Sequence, residues 1–78
     1  MNILDQVRQT VAETLDMPPS SINEDSSAEN IDAWDSLAQV NLMIALEQTF
    51  DVVLEVEDFM TLNSVAAIAA FMETSAET

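Results

Sequence analysis

The sequence predicts a single all-α domain of four helices, on three observations. Apolar residues recur at three- and four-residue spacing in separate segments, the period of a helix with one buried face. No stretch alternates apolar and polar residues over a length useful for a strand. The 78 residues include no glycine and no cysteine, so neither glycine-built turns nor disulfides organise the chain. A chain this short buries roughly 60–65% of the surface that its unfolded form exposes. With 49% hydrophobic residues it still has enough apolar surface for one core. A single domain over residues 1–78 follows, its ordered part expected at about residues 2–73.

Ile3, Leu4, Val7, Val11 and Leu15 make the apolar stripe of the first helix. Met17-Pro18-Pro19 stops it, since proline lacks the N–H and restricts the residue before it. Residues 16–35 are rich in Ser, Asn, Asp and Glu, with Ile22 and Ile31 expected to pin this long connector to the core. The second helix is expected over residues 36–50, with Asp35 or Ser36 as its N-cap. Residues 51–54 leave it along an irregular path. A short third helix is expected over residues 55–61, with Val56, Phe59 and Met60 facing inward. Asn63 or Ser64 then caps a fourth helix, whose stripe is Val65, Ile68, Ala69 and Met72. Residues 73–78 are expected to fray.

The second helix carries two apolar sides when residues are placed at about 100° intervals. Leu42, Met43, Leu46 and Phe50 form one stripe, suited to the core. Leu37, Val40 and Ile44 fall roughly opposite, among Asn41, Glu47 and Gln48. Either they pack beneath the long connector, or they form an exposed contact patch. Such a patch, set in an acidic surround, suits a partner with an apolar pocket ringed by Lys and Arg.

Fifteen Asp and Glu against the single basic residue, Arg8, give a formal net charge of −14. Such a surface repels nucleic acid and anionic membrane and draws basic partners; it also favours solubility. The N-terminus lacks the basic start of a signal peptide, and no apolar run is long enough to span a bilayer. A cytoplasmic protein is the expectation.

Catalysis has little to work with. There is no His, Lys or Cys, so no serine has a side-chain base to activate it. Without glycine there is no nucleophile elbow, phosphate-cradling loop or dinucleotide fingerprint. The acidic residues 23–35 lack the alternating ligands and central glycine of an EF-hand, so no dedicated metal site is expected. Ser36 is therefore read as a site that another protein modifies. The first turn of a helix has unpaired N–H groups and a partial positive charge, which favour a phosphate ester. The competing reading is that Ser36 is only a capping residue.

Asp35-Ser36-Leu37, followed by Val40-Asn41-Leu42 and Ala45-Leu46-Glu47, resembles the acyl carrier protein family. The likeness extends to Phe50-Asp51, to Ser64-Val65 with Ala66-Ala67, and to the Leu15 and Ile22 positions. The resemblance implies an acyl-carrier-like four-helix bundle. It implies that Ser36 receives 4'-phosphopantetheine from coenzyme A through a separate phosphopantetheinyl transferase, with Asp35 and Leu37 beside it. The arm's thiol would carry an acyl or aminoacyl group as a thioester. Trp34, Leu37, Val40, Ile44, Glu47 and Asp51 would meet acyl-loading and acyl-accepting enzymes with basic docking surfaces. Trp34 would contact either the arm or the long connector. Met43, Leu46, Met60, Leu62 and Ile68 would either line an acyl cavity or form ordinary core.

Departures from the family pattern narrow the expected pathway. Ala38 and Asn41 stand where carriers of fatty acid synthesis tend to have acids, and Ala33-Trp34 stands in place of Gly-Ala. The Trp-Asp-Ser-Leu form resembles stand-alone carriers of specialised pathways, whether polyketide, peptide-like or sugar-modifying. The expectation is a monomeric carrier with no catalytic residues and no membrane insertion. A fatty acid synthesis carrier and an unmodified acidic interaction module are the alternatives.

Overall fold

The computed structural model describes residues 2–76. Helix α1 covers Ile3–Leu15, and its free N-terminal amide at Asp5 donates to the Asn2 Oδ1 at 2.8 Å. Val7, Val11, Ala12 and Leu15 turn into the core. The helix ends at Leu15, three residues before Pro18. Asp16 adopts the left-handed conformation at φ 57°, and its N–H and that of Met17 close on the last carbonyls. Pro18-Pro19 then prevents the helix from resuming, and Pro19–Ser21 forms a 3₁₀ turn.

The connector to the second helix is ordered by its own polar side chains. Asn23 N donates to Ser26 Oγ and Asp25 N to Asn23 Oδ1, while Asn30 Nδ2 donates to Asp25 O. These bonds replace those that a helix or sheet would make. Ile22 is fully buried, and Ile31 packs half-buried against the core. A single antiparallel bridge, Ser27 to Ser64, stitches the connector to the start of the last helix. Through it Ala28 N donates to Asn63 O and Val65 N to Ser26 O, both at 2.9 Å. Among the described residues there is no strand.

Helix α2 covers Ser36–Phe50, matching the expected span, with Asp35 as the N-cap. Leu42, Met43 and Leu46 are fully buried. Asp51, at φ 55°, ends α2 in the same left-handed way as Asp16 ends α1. Helix α3 covers Val56–Thr61 and corrects one expectation. Only Phe59 turns inward, half-buried, while Val56 and Met60 are 78% and 75% exposed. A six-residue helix has fewer than two turns, so it can offer the core one side chain and its exit residue Leu62.

Helix α4 covers Val65–Ala76, with Ser64 Oγ accepting from Ala67 N at 3.1 Å. Val65, Ile68, Ala69 and Met72 are buried, as their spacing requires. The helix continues past Glu73, where fraying was expected to start; residues 77–78 lie outside those described. Helix α1 packs against both α2 and α4, whereas α3 packs chiefly on α2. The core sits between α1, α2 and α4, so α3 and the start of α2 form one edge of the bundle.

Candidate functional site

That edge is built around the first turn of α2. Asp35 is extended at φ −94° and accepts the Ala38 N–H on Oδ1 at 2.9 Å, while its carbonyl accepts from Gln39 N. Ser36 follows as the first helical residue and is exposed. The N–H groups of Ser36 and Leu37 precede the first intrahelical bond, so they stay available to an acceptor. With the helix dipole behind them, they favour a phosphate on Ser36 Oγ. Asp35, not Ser36, performs the capping, which leaves the Ser36 side chain unneeded for the fold.

Beside Ser36 lies a surface groove of about 500 Å³. Trp34 and Val40 line it from the α2 side, and Phe59 and Met60 from α3. Trp34, expected among the partner contacts, is only 3% exposed and so is no surface contact. Its ring belongs to the core and the groove wall, and its Nε1–H donates to Gln39 Oε1 at 2.6 Å. Gln39 Nε2 in turn donates to the carbonyls of Phe59 and Leu62, each at 2.9 Å. Sequence reading missed Gln39, because a glutamine on a helix carries no periodic signal. Only the fold shows that it joins the connector, α2 and the end of α3.

Leu37 is 71% exposed, Val40 43% and Ile44 47%, so the connector does not cover them. Val53, Val56 and Met60 add further exposed apolar surface beyond them in the chain. Asp51 is exposed at the end of α2. Glu47 differs from the expectation that it is a free docking charge. It is half-buried, and its Oε2 accepts the Leu54 N–H at 2.9 Å, holding the segment after α2 in place.

The five residues considered for an acyl cavity separate. Met43, Leu46, Leu62 and Ile68 lie in the buried core cluster, whereas Met60 faces the groove and solvent. Arg8, the single cation, is occupied by the fold: Nε donates to Ile22 O at 2.7 Å and Nη1 pairs with Asp5 at 3.4 Å. No group of three or more potential metal ligands occurs among the described residues. Among them, too, no helix is long and apolar enough to cross a membrane. An exposed hydroxyl over open helix amides, at the head of a groove, fits a phosphate ester bearing a slender arm.

The family model described as the phosphopantetheine attachment site matches residues 5–72. An acyl carrier protein of Wolinella succinogenes is 32% identical over 76 residues, covering 96% of this chain and 99% of the relative. One from an Exiguobacterium species is 35% identical, covering 92% and 91%. A protein named acyl carrier protein 3, of Ralstonia nicotianae, is 27% identical, covering 94% and 84%.

Proposed function

The chain belongs to the phosphopantetheine-attachment family of acyl carriers, and from that premise we propose that Ser36 is the residue that bears the arm. The protein is a carrier and not itself an enzyme; its cofactor is covalent 4'-phosphopantetheine derived from coenzyme A. The observation that supports Ser36 is its placement, exposed at the first helical position beside a groove, with Asp35 already doing the capping. In the transfer, the Ser36 oxygen forms a bond to the phosphorus of coenzyme A nearest the pantetheine. The pyrophosphate bond breaks and the adenosine bisphosphate leaves. The serine proton passes to a base on the transferase, since this chain has no His or Lys. Once attached, the arm supplies a thiol that carries the acyl or aminoacyl group as a thioester.

The chain's own contributions are positional. The first-turn amides of α2, those of Ser36 and Leu37, would hold the phosphate. Leu37, Val40 and Ile44 form the apolar docking face for loading and accepting enzymes, and Asp35 and Asp51 steer the basic rims of those enzymes. The neutral residues Ala38 and Asn41, with Trp34 before the serine, support a specialised pathway over fatty acid synthesis. The carrier is read as a cytoplasmic monomer.

Incubating the chain with coenzyme A and a promiscuous phosphopantetheinyl transferase tests the assignment. The mass should rise by one phosphopantetheine, and Ser36→Ala should abolish the gain. Modification that persists in Ser36→Ala would move the site elsewhere. No gain at all, beside a control carrier that is modified, would leave an unmodified interaction module as the better reading.

A further inference from the structure

Gln39 ties the turn that carries Ser36 to two other parts of the fold. Its backbone N–H donates to Asp35 O at 2.9 Å, which closes the first turn of α2 around Ser36. Its side-chain Oε1 accepts from the Trp34 indole N–H at 2.6 Å, so the residue before the cap is fastened to the residue after the turn. Asp35, Ser36, Leu37 and Ala38 thus form a stretch held at both ends. Asp35 braces that stretch from within, through the Ala38 N–H. The cap leaves open how the turn sits on the rest of the molecule.

The Gln39 amide settles that. Its Nε2 donates to Phe59 O and Leu62 O, each at 2.9 Å, across 20 and 23 residues of chain. These carbonyls lie at the end of α3, where no further helical turn can satisfy them. Three of the four hydrogen bonds open to a glutamine amide are therefore made. We propose that Gln39 is a positioning residue for the loading reaction. By locking the first turn of α2 against Trp34 and the end of α3, it sets where Ser36 Oγ stands when a transferase presents coenzyme A. The inference rests on Ser36 as the attachment residue.

Gln39 acts through the turn and supplies no proton. In the step itself, the Ser36 oxygen bonds to phosphorus and the pyrophosphate bond breaks. Adenosine bisphosphate leaves, and the serine proton goes to a base on the transferase. Such an attack needs the reacting atoms about 3–3.5 Å apart, and a misplacement of about 1 Å can cost about 10²-fold. With the Asp35 cap intact the turn loosens without melting, so a loss of about tenfold is expected.

The test is steady-state transfer of phosphopantetheine from coenzyme A to the unmodified chain, with the chain as the varied substrate. Gln39→Met keeps the side-chain length and removes all three bonds. Its kcat should fall about tenfold while KM for the chain stays within about twofold, since Leu37, Val40 and Ile44 remain exposed for docking. Trp34 is the only tryptophan, so its single indole proton resonance reports the lock and should move upfield in this variant. Ile68→Val, a trimmed core position, should lower Tm and leave both kinetic constants unchanged. Should Gln39→Met fail to fold, Trp34→Phe keeps an aromatic ring and removes one bond; its kcat should fall about threefold at unchanged KM.

A native kcat in the folded Gln39→Met, or a raised KM in place of a lowered kcat, overturns the positioning role. So does an equal fall in kcat for Ile68→Val, because lost stability would then account for the effect. In each of these cases the chain still gains one phosphopantetheine at Ser36, and the attachment reading stands. A mass gain that survives Ser36→Ala, or no gain beside a control carrier that is modified, overturns the attachment at Ser36 and the positioning with it.

Discussion

Asp16 and Asp51 show what a chain without glycine accepts at its helix ends. Both sit in the left-handed region, at φ 57° and 55°, where an L-residue pays roughly 1–2 kcal/mol and glycine pays nothing. Each also places a carboxylate at the negative end of a helix dipole. Asp16→Gly removes both penalties, though glycine gives some of the gain back through unfolded-chain entropy. The variant should be more stable by about 1 kcal/mol, a rise in Tm of about 4–8 °C. An unchanged or lower Tm in calorimetry would mean that Asp16 makes a compensating interaction in the folded state. Asp51→Gly should stabilise similarly but slow partner reactions, since that carboxylate is also proposed to steer them. Glu47 and Ile44 separate fold from docking in the same spirit. Glu47→Lys strips the Leu54 N–H of its acceptor and should cost about 1–3 kcal/mol. Ile44→Glu, at an exposed position, should change stability by less than about 0.5 kcal/mol while slowing acyl transfer. Urea unfolding and partner kinetics on both variants check the pair.

At the scale of the element, legibility followed length and capping. Helix α2 was readable to the residue because Asp35 caps it and two apolar stripes run along it, one now buried and the other exposed. Helix α3 was readable as a helix but not in orientation. Six residues give no periodicity from which to choose a face, and its placement is set by Gln39 and Leu62, which lie outside it. Ser36, proposed as the attachment residue, was singled out by motif and missing bases, whereas the groove was not legible, since its walls come from segments far apart in sequence. The connector was legible as pinned, yet its chief brace was hidden. Arg8 Nε donates to Ile22 O and Nη2 to Pro19 O, tying the connector back to α1. Arg8→Gln should therefore cost about 1.5–3 kcal/mol, the range for a hydrogen bond made by a charged group. Amide exchange localises the effect: protection should fall in residues 19–31 more than in α4. Uniform loss across the chain would assign Arg8 a purely electrostatic role.

Across the whole molecule, the same charge acts on two properties in opposite directions. The net charge of −14 is carried on a body with extents of 33 × 28 × 19 Å. At low salt the Debye length is comparable to these dimensions, about 30 Å at 0.01 M, so carboxylates on opposite sides repel one another through the fold. At about 1 M it shrinks to about 3 Å, and only adjacent charges interact. Unfolding lets the acids move apart, so repulsion destabilises the compact state and screening should restore it. Sodium chloride from 0.01 M to 0.5 M should raise Tm by about 5 °C, the shift for roughly 1 kcal/mol in a domain of this size. Docking responds with the other sign. The proposed attraction between the acidic carrier and a basic partner rim would speed encounter, and salt would remove it. Acyl transfer at subsaturating carrier should therefore slow over the very range in which the fold strengthens. A Tm that ignores salt would reject self-repulsion. A transfer rate that ignores it would reject charge steering and leave the apolar face of α2 as the sole basis of recognition.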